Sequence, residues 1–332
     1  MTDKILASLR QLNFIGAEQA DTISHYERTR PFSLYYELRT LLSVGVTALS
    51  TGLGLLIYQH IDSIGHGVIV AAVALLAAAG FAVAYRLRQP FTWQAAQPAV
   101  AADYALLLGC LTLLTLVGYL QFQYTFFGTR YGLLVLVPTV VFFACAYRFD
   151  HRGVLSMAIT GLAAWVGVAI APLSAFTQNN YALPHLDAAA VGLGLGLAAV
   201  GLAAEHWNVK KHFGYTYLLL GSNLTLVAAG SALWRNSAEP GFLAPGLAVL
   251  LILGLSAALA WYARRTHSYL FLLLGVLYGY LALTYTFFQL ADTGPGIFGA
   301  LAILYFPLSL VGVVVFLLNL KKLLGIHEPQ GL

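Results

Sequence analysis

Charge is what this sequence has least of. Asp, Glu, Lys and Arg make up 9% of its 332 residues and hydrophobic residues 60%, whereas a soluble domain carries about 25% charged residues. A water-facing surface cannot be built from so few charges, so a soluble globular fold is excluded. Apolar runs recur along the whole length, each long enough to cross a hydrocarbon core of about 30 Å. The chain is therefore predicted to be all-α, a polytopic membrane helical bundle. In such a chain the net charge of +4 does not point to nucleic acid. The basic residues sit in short loops between apolar runs, where they orient helices. No small-residue cleavage site follows the first run, so a removable signal peptide is not expected.

Cysteine is nearly absent too, with Cys110 and Cys145 alone. Cys110 falls mid-span and Cys145 near the end of the next span. At 1.5 Å per residue their depths differ by about 10 Å, beyond the roughly 7 Å between Cα atoms that a disulfide tolerates. Both are read as small packing residues.

A third absence concerns the interior of the spans. Their middles hold no Asp, Glu, Lys, Arg or His. Asp103 lies near the cytoplasmic mouth of the third span, and Glu205 and His206 at the cytoplasmic end of the sixth. Ionisable residues at depth mark proton relays, voltage sensors and ion pathways, so those classes lose support. No Walker loop, dinucleotide fingerprint, CxxC, HExxH or GxSxG is present, and none of the corresponding enzyme classes gains support. No cofactor is implied.

What is there begins with residues 1–37, which mix charges with Leu6, Leu9 and Leu12 and then Ala17, Ala20 and Ile23 at helical spacing. Gly16 divides the two halves and Pro31 ends them. This predicts a short cytoplasmic amphipathic helical hairpin. Ten apolar runs follow, at 38–58, 67–85, 99–120, 131–147, 154–173, 188–204, 213–234, 241–262, 268–290 and 296–320. They make a transmembrane bundle over 38–320, with a cytoplasmic tail at 321–332. With the N-terminus in the cytoplasm, one face collects Lys4, Arg10, Arg28, Arg30, Arg39, Arg86, Arg88, Arg148, Arg152, Lys210, Lys211, Arg264, Arg265, Lys321 and Lys322. The opposite face collects Arg130 and Arg235. That asymmetry is the positive-inside pattern sustained through ten crossings, and it predicts both termini cytoplasmic.

The chain also repeats itself. Gly118–Phe127 reads GYLQFQYTFF and Gly279–Phe288 reads GYLALTYTFF, identical at seven of ten positions. Both close outward-running spans, the third and the ninth. Each is followed by a span with a central proline, Pro138 in the fourth and Pro307 in the tenth. This predicts an internal duplication, spans 1–4 and 7–10, with a pseudo-twofold along the membrane normal as in some transporters. Candidate ligand-binding residues follow from it: Tyr119, Tyr124, Tyr280 and Tyr285 at the outer ends, and Pro138 and Pro307 below them. Proline leaves a backbone carbonyl that needs another partner. Asn223, the one strongly polar residue at the centre of a span, completes the set. A spacing of five puts the two tyrosines of each pair about 140° apart on a helix, so at most one of each pair can face the bundle axis squarely. The simpler reading makes the tyrosines interface anchors and Asn223 an interhelical hydrogen bond.

On the outer face, His60, Asp62, His66, His185, Asp187 and Asp292 are metal-binding residue types, but their spacing fits no ligand frame. Glu205-His206 reads as an interfacial cap. The small-xxx-small patterns at Gly192–Gly196 and Gly275–Gly279 predict close helix approach in spans 6 and 9.

The segment Leu9–Ala20, LRQLNFIGAEQA, resembles the opening of an uncharacterised bacterial membrane-protein family, domain of unknown function 2157. Leu49–Ile57 is similar to that family's first span, and Ala102–Leu107 to an Asp-Tyr motif of a related group. The resemblance implies many apolar spans in a bacterial inner membrane and brings no activity with it. Two functions fit the whole. One is binding or transport of a small apolar or weakly polar solute in the lipid bilayer. The other is a non-transporting scaffold or sensor that meets a cytoplasmic protein through the N-terminal hairpin.

Overall fold

A computed structural model of the chain describes residues 16, 18–19, 21–22, 35–88, 90–93, 100–128, 130–170, 184–233, 244–291 and 297–319. Ten long helices appear where ten apolar runs were expected. They are α1 (Tyr35–Ile64), α2 (His66–Arg86), α3 (Val100–Tyr124), α4 (Tyr131–Phe149) and α5 (Arg152–Ile170), then α6 (Pro184–His206), α7 (Lys211–Leu233), α8 (Pro245–Thr266), α9 (Tyr269–Ala291) and α10 (Ile297–Leu318). Among the described residues there is no strand. The eight helices from α2 to α9 are long and apolar enough to cross a membrane, and the protein is a multi-pass membrane bundle. α1 and α10 carry shorter apolar stretches among the described residues, Thr40–Leu56 and Ile303–Phe316. α1 outruns its apolar run at the C-terminal end because helix continues through the polar Tyr58–Asp62.

The chain divides into two compact units, residues 1–45 with 326–332, and residues 46–325. Most of the expected hairpin at 1–37 lies outside the described residues. A few residues from Gly16 on are described. The Gly16 N–H donates to Gln19 Oε1 at 3.0 Å, and Glu18, Gln19, Asp21 and Thr22 are helical. A side chain three residues on thus satisfies an orphan donor at a helix start.

In the larger unit, neighbours in sequence pack as antiparallel pairs: α2 with α3, α4 with α5, α6 with α7, and α8 with α9. α7 also packs on α5, α8 and α9. It is the central helix, with 61% of its best membrane window buried against 22–33% for the other seven. Glycine sets how closely the pairs approach. A Cβ on Gly194 would lie 2.6 Å from Gly221 O, and one on Gly80 would lie 2.9 Å from Gly109 N. Of the glycines at 192–196 only Gly194 meets a neighbour, whereas Gly192 and Gly196 face open space. In α9 a Cβ on Gly275 would lie 2.8 Å from Ser256 O on α8.

The connections reveal which ends share a face. After α2, Phe91 and Trp93 lie beside Lys210, which follows α6: the Lys210 N–H donates to Trp93 O at 3.0 Å, and its ammonium sits 5.1 Å from the Phe91 ring. The same ammonium pairs with Asp150, between α4 and α5, at 2.8 Å. Three connections that the basic residues placed on one side therefore meet on one side. Asp150 and Lys210 both take left-handed backbone, with φ of 60° and 48°.

Candidate functional site

The sequence nominated the region around the two decapeptides, and a cavity lies against each. The first, about 480 Å³, is an open groove lined by α3, α4 and α5. Gly118 of the first decapeptide lines it, and so do Leu134, Pro138, Phe142, Gly161 and Ala164. The second, about 500 Å³, lies between α9 and α10 and touches Gly279, Tyr280, Leu283, Tyr305 and Ser309. Gly118 and Gly279 are the same position of the repeat, but a Cβ on Gly118 would meet open space, whereas one on Gly279 would lie 3.4 Å from the Ser256 side chain on α8. Both volumes fall in the usual range for small-molecule sites.

Polar groups in the first cavity are few and of one kind. Pro138 has no N–H to give, which releases the carbonyl of Leu134 one turn earlier; both residues line the space. Thr139 donates its hydroxyl to Val135 O at 2.7 Å, and Thr160 donates to Ser156 O at 2.9 Å. With their protons committed, these hydroxyls offer lone pairs. The cavity wall is therefore apolar with a few acceptors. In the second cavity the Tyr280 hydroxyl donates to Ser309 Oγ at 3.1 Å.

The remaining nominated residues divide. Tyr119 is half-buried, with its hydroxyl 2.9 Å from His66 Nδ1, while Tyr124 is 49% exposed. Tyr285 accepts from Gln289 on its own helix at 3.2 Å. Tyr119 turns to α2 and Tyr280 to α10, so the two repeat-matched tyrosines have different partners. Asn223 is half-buried on α7 and lines neither cavity; Pro307 is exposed on α10 and lines neither. Of the nominated residues, then, the cavities gather Pro138 and Tyr280.

The two copies of the decapeptide also differ in shape. The second stays helical throughout inside α9. The first leaves the helix at Thr125, whose φ is 45°. Gln121 is the cause: its amide donates to Gly128 O at 3.0 Å and accepts from the Phe127 N–H at 3.0 Å. The equivalent position in the second copy is Ala282, which has nothing to offer an exit turn.

Of the residues expected on the outer face, His66 pairs with Tyr119, and Asp187 accepts from Ser231 Oγ at 3.1 Å. The side chains of His60, Asp62, His185 and Asp292 lie outside the described residues. Glu205 accepts a hydrogen bond from Tyr262 of α8, which ties the C-terminal end of α6 to α8.

Cys110 and Cys145 are both free thiols. Cys110, ten residues into α3, is fully buried, and Cys145, four from the end of α4, packs against the same apolar core.

Residues 7–155 match the model of a family described as predicted membrane protein (DUF2157). The match extends past the N-terminal third, through α1–α4 into α5, and so includes the α3 and α4 walls of the first cavity and both cysteines. No curated protein and no solved structure matches the chain.

Proposed function

We propose that this multi-pass membrane protein binds an apolar or weakly polar solute inside the bilayer and moves it without ionisable residues at depth. One observation carries the reading: two cavities of similar size, each set against the same glycine of a duplicated decapeptide, each beside the helix that carries a central proline. Both open grooves are apolar with few polar groups, the usual form of a small-molecule site, which supports binding. The orientation we propose has both termini cytoplasmic in a bacterial inner membrane. The meeting of the three connections around Lys210, all at the basic ends of their helices, supports it.

Trp165 offers a test. It neighbours Ala164, a lining residue, and a Cβ on Gly132 would come 3.5 Å from its indole nitrogen. In a variant with the other four tryptophans replaced by phenylalanine, reconstituted in lipid, Trp165 fluorescence should be quenched saturably by a brominated dodecane. Ala164→Phe should abolish the saturable component, since a benzyl group there occupies the cavity. Quenching that rises linearly with probe, equally in both proteins, would reduce the chain to a scaffold in lipid.

A further inference from the structure

The polar side chains that line the two grooves share one property. In the first groove they are Thr139 and Thr160. The Thr139 hydroxyl donates to Val135 O, and the Thr160 hydroxyl lies 2.9 and 3.0 Å from Ser156 O and Met157 O, to which it donates. In the second groove they are Tyr280, Tyr305 and Ser309. Their protons run in short chains that end on carbonyls. Tyr280 donates to Ser309, and Ser309 donates to Phe306 O at 3.0 Å. Thr284 donates to Tyr280 O at 2.8 Å, so in the bond between Thr284 and Tyr305 the donor is Tyr305. A hydroxyl carries one proton and two lone pairs. Each lining hydroxyl has committed its proton inside the protein, and helical N–H groups bond within their own helices. Among the described residues, both grooves therefore present lone pairs and no free side-chain donor. In the first, the Leu134 carbonyl released by Pro138 adds a further acceptor.

We infer that the solute these grooves take is an apolar alcohol, a hydrocarbon body with an O–H to donate. This rests on the grooves being ligand sites. Acyl chains cannot hydrogen-bond to the lone pairs of the wall, and the hydrocarbon region holds no water to do so. An alcohol can, while its hydrocarbon part lies on Leu114, Val117 and Phe142 in the first groove, or on Val276, Leu283 and Val313 in the second. No charge is buried, which matches spans whose middles hold no ionisable residue. An ether, ester or ketone would set its own lone pairs against those of the wall, and such a mismatch discriminates as effectively as an added attraction. The property also recurs on different residues: threonines of α4 and α5 in one groove, tyrosines and a serine of α9 and α10 in the other. It is therefore a shared feature of the two grooves and not a by-product of the repeated decapeptide.

The experiment uses the full chain with Trp165 as its one tryptophan, in lipid vesicles, with Trp165 quenched by the brominated dodecane. The competitors are 1-dodecanol and 1-methoxyundecane, isomers with and without an O–H, and the content of each in the bilayer is measured. Fluorescence should recover at about 3–10-fold lower bilayer content of the alcohol than of the ether, the range expected for one hydrogen bond. Thr139→Val combined with Thr160→Val keeps the shape of the wall and removes two of its acceptors. It should bring the alcohol toward the ether and leave the ether unchanged. Unchanged competition by the ether shows that the groove of the variant is intact; if the double variant loses it, Thr160→Val alone, at an exposed position, gives the same comparison. Equal competition by the two isomers in the parent protein would overturn the alcohol assignment while the groove stands as a site. A preference that survives the substitutions undiminished would overturn it too, because the preference would then not come from the wall. Absence of any saturable quenching would remove the site, and this inference with it.

Discussion

Lys210 and Asp150 are 3% and 8% exposed at their side chains and only 2.8 Å apart, in a protein with very few charges. His212 Nε2 lies 2.7 Å from the same carboxylate oxygen. Removing one partner of a buried pair leaves an uncompensated charge, at a cost of about 3–5 kcal/mol, whereas replacing the pair with apolar residues is often neutral. Asp150→Asn should therefore lower the thermal unfolding midpoint in detergent clearly, and the double variant Asp150→Asn, Lys210→Met should recover part of the loss. An unchanged midpoint in the single variant would show that the pair does not hold the three connections together. None of this was legible in the sequence, which offered Lys210 and Lys211 as two basic residues in a loop. Pairing with Asp150, 60 positions away, depends on left-handed turns at both residues, and nothing in either residue's type announces those. Gln121 shows the same limit. Seven identities made the two decapeptides look alike, and one of the three differences decides that the first leaves its helix.

Among the elements, legibility followed length. Ten apolar runs became ten helices because burial of backbone polar groups in lipid leaves helix as the available form. The pairing of those helices was only half visible. Small-xxx-small spacing marked α6 and α9, yet the sequence could not say which glycine of Gly192–Gly196 faces its partner, since a helix turns 100° per residue and partners are chosen by tertiary packing. The structure selects Gly194, wedged against Gly221, and leaves Gly192 and Gly196 open. Gly194→Val should thus separate α6 from α7 and destabilise the bundle by about 1–3 kcal/mol, the usual range for overpacking. Gly192→Val and Gly196→Val should be close to neutral. Equal effects at all three positions, read from thermal midpoints, would mean that the α6–α7 contact is not set by that glycine.

For the whole molecule, place and class were legible, and the candidate site only in outline. Composition sufficed for a multi-pass bundle. The repeat drew attention to two regions that each hold an open groove. Which side chains line them was not legible, since tyrosines at matched positions turn to unmatched neighbours and the central Asn223 belongs to a different helix. A structure of the protein in a lipid nanodisc tests the matched cavities most directly. Superposing α3 and α4 on α9 and α10 should bring Gly118 over Gly279 and Pro138 near Pro307, with Tyr119 and Tyr280 on the same side of the membrane. Elongated density unconnected to the chain should lie against both glycines. Tyr119 and Tyr280 on opposite sides of the membrane, or both cavities closed by side chains with no density in either, would contradict it.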